Sequence, residues 1–279
     1  MTATLDPQRT QTPSRPPRPW YRRRRFATLG VAVVLVGGAA GGGIWWFLRD
    51  DAPAAVDLES AAESLGVVTI DDTTAVATDA AVVDAAATDA GAAAAVSGTW
   101  TVDTSIGEFS YEDSTGTFVG FRVEEELSSI GSTTAVGRTP TVTGTITFDG
   151  TTLTAATIEA DMSAITTNDS RRDDRVQDAL ETGEFPTATF TLTEPIDLGD
   201  VVNTGAATTV NATGELTVHG VTTTVTLPLE AQLVDDTIVV VGSIDVELST
   251  YGVAAPTAPI VVSVSDQATI ELQLFFTQG

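Results

Sequence analysis

The chain has 279 residues, a formal net charge of −25, and neither cysteine nor lysine. Without cysteine there are no disulfides, thiolate metal sites, cysteine nucleophiles or thiol-linked lipids. Charge is also divided along the chain. Residues 1–49 hold eight arginines against the single acid Asp6, net +7, and the rest holds five arginines against 37 acids, net −32. So acidic a part is repelled by nucleic acid, which excludes DNA and RNA as partners.

Residues 1–25 are polar and proline-rich and end in Arg22-Arg23-Arg24-Arg25. Proline blocks helical hydrogen bonding and apolar residues are few, so a disordered tail is expected. Residues 26–48, FATLGVAVVLVGGAAGGGIWWFL, carry no charge. A helix of that length spans roughly 34 Å, which matches the hydrocarbon thickness of a bilayer. Trp45 and Trp46 lie at one end and the arginines at the other. Arginines stay on the cytoplasmic side, so the expectation is a single-pass cell-membrane protein with a cytoplasmic N-terminus and the remainder outside. The competing reading is a cleaved signal peptide, suggested by the small residues Gly37 to Gly43. The retained tryptophans favour the anchor.

Residues 49–97 are dominated by Ala, Asp, Thr and Val, without aromatic residues and with ten acids. The expectation is a disordered acidic linker that acts as a tether. From residue 98 to 279 the pattern changes to alternation with period two. Thr141–Phe148, Thr189–Thr193, Val221–Leu229 and Ile238–Leu248 each read as a strand with one apolar face, and Ile270, Leu272, Leu274 and Phe276 make the last strand. Asp149-Gly150, His219-Gly220 and Asp235-Asp236 read as hairpin turns. Asn168–Leu180 is polar and opens on cap-type residues, so it reads as one short helical insertion. The fold class is all-β, a closed antiparallel barrel or a sandwich.

Several segments together resemble the YceI-like family, the polyisoprenoid-binding, lipocalin-like proteins of bacterial envelopes. They are Trp100-Thr101-Val102-Asp103, Val119-Gly120-Phe121-Arg122-Val123, Thr143 to Asp149, Arg171-Arg172-Asp173, Glu184 to Phe190 with its aromatic-Pro-Thr-x-x-Phe pattern, and Gly214 to Thr222 with Gly-x-Leu-Thr-x-x-Gly-x-Thr. The resemblance implies a lipocalin-like antiparallel β-barrel around a long apolar channel that holds an isoprenoid lipid or quinone tail. Where many members carry His, two positions after the Arg-Asp pair, this chain has Arg175.

Phe121, Val123, Val142, Gly144, Ile146, Phe148, Phe190, Val240 and Gly242 are the expected channel lining, the two glycines leaving room in the lumen. Arg171, Arg172 and Arg175 are the expected basic gate for a headgroup; the alternative is ion pairing along a solvated helix face. His219 reads as a solvated turn residue. No nucleophile and base, metal-ligand spacing or phosphate loop is present in the sequence, so no catalytic or metal residue is assigned and an enzyme is not expected. The expected partners are an isoprenoid-type lipid and, through the N-terminal helix, the membrane; the oligomeric state, a dimer included, is left open. The alternative function is an envelope structural or adhesion module with a solid β core and no ligand.

Overall fold

A computed structural model describes residues 52–66, 96–128, 131–255 and 261–279. The tail expected over 1–25, the membrane span expected over 26–48 and most of the expected linker lie outside the described residues. Among the described residues no helix is long and apolar enough to cross a membrane.

Among the described residues eleven strands form one antiparallel sheet: β1 (Gly98–Val102), β2 (Phe118–Leu127), β3 (Gly131–Thr139), β4 (Val142–Asp149), β5 (Thr152–Asp161), β6 (Thr187–Leu192), β7 (Ile196–Asp197), β8 (Thr208–Val218), β9 (Val221–Val234), β10 (Thr237–Glu247) and β11 (Val261–Gln278). Eight of them close a ring in the order β1-β4-β5-β6-β8-β9-β10-β11, and β1 pairs back onto β11 through Trp100↔Gln278 and Val102↔Phe276. Closure leaves no free edge within the ring itself, and β3 remains the end strand of the sheet. Beyond β1, the long strand β11 continues its pairing with β2, and β2 with β3. The ring is therefore an eight-stranded barrel, which decides between the barrel and the sandwich left open by periodicity.

The turns follow their local chemistry. Val218 pairs with Val221 across His219 (φ 51°) and Gly220 (φ 71°), a two-residue hairpin whose central residues both take positive φ. Val234 pairs with Thr237 across Asp235-Asp236, where Asp235 alone takes positive φ (50°).

Among the described residues two α-helices accompany the barrel. The second, α2 (Ser170–Ala179), falls within the helical insertion expected from sequence; the Asp169 carboxylate accepts from the Arg171 amide at 2.9 Å and caps its start. The first, α1 (Leu58–Glu63), corrects part of the expected linker. Residues 52–66 are packed on the outside of the barrel, not free. Asp57 caps α1 by accepting from the Ser60 amide at 2.9 Å, and Leu58, Ala61 and Ala62 are buried against Val234, Val239, Val241 and Phe275. The spacing i, i+3, i+4 gives even this short helix one apolar face. Linker composition concealed it.

Three aspartates tie loops to the frame. Hydrogen bonds from the Ser105 hydroxyl and amide hold the Asp103 carboxyl below the usual range, and those from the Ser249 hydroxyl and amide do the same for Asp266. The Arg171 amide does so for Asp169. A folded value below the unfolded one means stability that is fully present above about pH 5 and is lost as pH falls through and below roughly 3.9. Melting temperature followed by circular dichroism is expected to be level from pH 7 to 5 and to drop below pH 4. Asp103→Asn should lower the plateau and flatten the acid limb.

Candidate functional site: the barrel lumen

Alternation along each strand sends one set of side chains inward. On β10 the inward set is Ile238, Val240, Gly242, Ile244 and Val246, and the outward set includes Val239 and Val241. In a solid barrel the inward residues would be the buried ones. Over part of the strand the order is inverted: outward Val239 is fully buried and Val241 nearly so, whereas inward Val240, Ile244 and Val246 remain partly exposed and only Ile238 and Gly242 of the inward set are buried. The same partial exposure occurs at inward Phe121, Ile158, Phe190, Val225 and Leu272. At Val239 and Val241 the outer face is covered by α1, and the inner face borders a space that side chains do not fill.

That space is a cavity of about 300 Å³. Its wall is almost entirely aliphatic and aromatic, which suits an apolar guest. Charged side chains reach it at α2 and β2: Glu125, Arg172 and Arg175. Glu125 is buried and accepts from Arg172 Nη2 at 2.8 Å, while Arg172 Nη1 donates to Asn168 Oδ1 at 2.8 Å. Arg175, one turn along, lines the cavity from an exposed position and has no ion pair among the described residues. Asp173 faces elsewhere: its carboxylate accepts from the Thr167 amide at 2.6 Å and hydroxyl at 2.7 Å, fixing the loop that carries α2.

Eight of the twelve residues singled out from sequence line the cavity: Phe121, Val123, Ile146, Phe148, Phe190, Val240, Arg172 and Arg175. Four do not. Val142 is buried in the packed part of the core beside Trp100. Arg171 points to solvent, 3.5 Å from Asp169. The two glycines serve close packing and leave no room. A Cβ at Gly242 would meet Leu229 Cδ2 at 2.5 Å and the Pro228 carbonyl oxygen at 2.7 Å, and one at Gly144 would collide with the Thr157 carbonyl oxygen. The expectation that they open the lumen is corrected accordingly.

His219 is also corrected. It is half-buried: Nδ1 lies 3.0 Å from the Tyr251 carbonyl oxygen, the ring meets Phe185 edge-on at 4.8 Å, and Nε2 lies 3.3 Å from Glu181 beyond α2. The Nδ1 contact requires a proton there, because the carbonyl can only accept. Its neighbours explain two sequence patterns at once. Phe190 lies over Gly214, where a Cβ would sit 2.5 Å from Cζ, and Phe185 lies over Gly220 in the same manner. The aromatic-Pro-Thr-x-x-Phe and Gly-x-Leu-Thr-x-x-Gly motifs are thus two halves of one packing unit beside α2. Sequence reasoning missed Glu125, Leu216, Ile244 and Tyr251 in the wall. Glu125 could have been found, since it sits at an inward position of β2 in step with Val119, Phe121 and Val123.

A closed antiparallel barrel with an unfilled apolar interior and a short charged helix beside it defines the lipocalin-like class. The chain belongs to the YceI-like domain family, whose model matches residues 100–276. Among curated relatives, UPF0312 proteins of two Vibrio vulnificus strains, YJ016 and CMCP6, are each 30% identical over 109 residues, 38% of this chain and 54% of theirs. The chain thus matches about half the length of those relatives. Among solved structures it is similar to a polyisoprenoid binding domain from Saccharophagus degradans implicated in plant cell wall breakdown, with 19% identity, a TM-score of 0.49, and coverage of 65% of this chain and 99% of that one. It is also similar to Burkholderia cenocepacia BcnA, with 20% identity, a TM-score of 0.47, and coverage of 62% and 98%.

Proposed function

We propose that this chain is a membrane-tethered, extracytoplasmic binding protein that holds an isoprenoid or other long apolar chain in its barrel, with no catalytic role. The observation that carries this reading is the inversion of burial on β10, where inward Val240 is more open than outward Val239. An apolar lumen left partly open is a place for a guest, and a solid-core envelope module would have no use for one. The relative described as a polyisoprenoid binding domain supports the choice of ligand. The uncharged run 26–48 behind four arginines supports the anchor and its orientation.

The energetics suffice. A chain that buries about 500 Å² of apolar surface gains roughly 12 kcal/mol. Association costs of about 4 kcal/mol or more leave the micromolar range, near 8 kcal/mol, within reach. The head of the ligand belongs at Arg175, whose charge is free at the wall while that of Arg172 is engaged by Glu125.

Native mass spectrometry of the full chain extracted from membranes tests this. An apolar lipid is expected to co-purify at one per barrel, and a lipid-free protein that takes up no added isoprenoid would end the proposal. Arg175→Gln should retain neutral isoprenoids and lose about ten- to a hundredfold in affinity for chains with an anionic head, on the scale of one charge-assisted hydrogen bond. Equal loss for neutral and anionic chains would place the head elsewhere.

A further inference from the structure

Residues 52–66 are held to the barrel by two devices of different chemistry. The first is apolar: α1 buries Leu58, Ala61 and Ala62 on Val234, Val239, Val241 and Phe275, with Val56, Leu65 and Ile106 at the margin. The second is polar. Glu271, 1% exposed on the outward face of β11, accepts at Oε1 from Arg138 Nη2 at 2.8 Å and at Oε2 from Arg122 Nε at 3.1 Å. Two guanidinium groups around one carboxylate leave a surplus of donors and a net positive charge. Two of the surplus donors are used on the backbone of this segment: Arg138 Nη2 donates to the Ala54 carbonyl at 2.9 Å, and Arg122 Nη2 donates to the Pro53 carbonyl. Those carbonyls precede α1, and at buried Pro53 the arginine supplies a bond that burial would otherwise leave unmade.

We infer that residues 52–66 are a clasp that fixes the barrel, non-covalently as well as through the chain, to the part of the protein preceding it. The inference rests on the proposed membrane anchor for its consequence. In sequence, three residues (49–51) separate the apolar run from the docked segment, and residues 67–95 lie between that segment and Val96. A barrel so held is a resident acceptor that loads lipid at its own membrane. It is not a shuttle carried on a tether of some fifty residues, which is the arrangement composition suggests.

The distinguishing experiment is a protease site inserted between Ala80 and Ala81 in the full chain, cut in isolated membranes. The barrel fragment is expected to remain in the pellet after complete cleavage. In a variant lacking residues 52–66, which removes both grips and leaves every barrel residue intact, the cut barrel is expected in the supernatant. Release of the cut wild-type barrel would overturn the clasp, and so would retention of the cut variant, since the barrel would then adhere by other means. The anchor is read separately from uncut protein, whose absence from the pellet would remove the anchor but not the clasp. In that case co-elution of the two cut fragments on size exclusion supports the clasp, and their separation overturns it.

Discussion

Val240→Trp is expected to abolish lipid co-purification and leave the barrel folded, whereas Gly242→Phe, two residues along the same inward face, is expected to disrupt the fold. Val240 lines the cavity and is partly exposed to it, so an indole there occupies space the guest would fill. Gly242 is buried, and its first added carbon would meet Leu229 Cδ2 at 2.5 Å and the Pro228 carbonyl oxygen at 2.7 Å. A backbone oxygen cannot turn aside as a side-chain tip can. Overpacking costs about 1–3 kcal/mol for extra methylenes, and a phenyl ring against backbone belongs at or beyond the upper end. At roughly 2–4 °C per kcal/mol for a domain of this size, the loss in melting temperature is on the order of 10 °C. Native mass spectrometry and thermal melting read the two effects apart. A well-folded Val240→Trp protein that still carries one lipid per barrel would show that the guest does not use this part of the lumen. A Gly242→Phe protein that melts with the wild type would show that β9 yields more readily than its packing implies.

Why these neighbours differ is also why the sequence was legible only in part. Period-two alternation is a property of the strand itself, so inward and outward sets could be read at Ile238 to Val246 and at Ile270 to Phe276 without knowing what lay on either side. The helical insertion at Asn168–Leu180 declared itself through Asp169 as a cap. What alternation cannot tell is which partner backbone a small residue faces. Gly144 and Gly242 looked like free volume because they lack side chains, but they are glycines because β5 and β9 pass too close for anything else. Arg172 and Arg175 likewise looked equivalent until Glu125 engaged one and left the other at the wall. The docked segment 52–66 had a local signal, Leu58, Ala61, Ala62 and Leu65 at helical spacing behind a capping aspartate, but alanine-rich acidic surroundings masked it. Its receiving surface was harder still to read. Glu271, Arg138 and Arg122 occupy outward positions, where charged residues are ordinarily solvated, and segment 52–66 together with the loop at Tyr111 folds over them.

Glu271→Gln is therefore expected to be among the most damaging single substitutions on the outer face of the barrel. The change is isosteric, so it opens no cavity; it removes one charge. Arg138 is 3% exposed and stands over the Phe118 ring at 4.3 Å, and Arg122 is only partly exposed. Without the carboxylate two guanidinium ions would face each other with a neutral amide between them, one of them out of reach of water. Removing one partner from a buried ion pair typically costs about 3–5 kcal/mol, because the remaining charge is left uncompensated. For a domain of this size that is a fall of roughly 6–20 °C in melting temperature. Replacing a buried charged triad by apolar side chains of similar volume is often neutral or stabilising. Here the triple variant Arg122→Met, Arg138→Met, Glu271→Leu should fail to recover wild-type stability, because the Pro53 and Ala54 carbonyls lose the donors that hold them. In a variant that lacks residues 52–66 that debt disappears, and the triple substitution should be tolerated. Thermal melts of the four proteins, with and without the segment and with and without the triad, give the coupling directly. Additive effects would mean that the triad serves the barrel alone, and a clear departure from additivity would mean that the arginines are there for the carbonyls they hold.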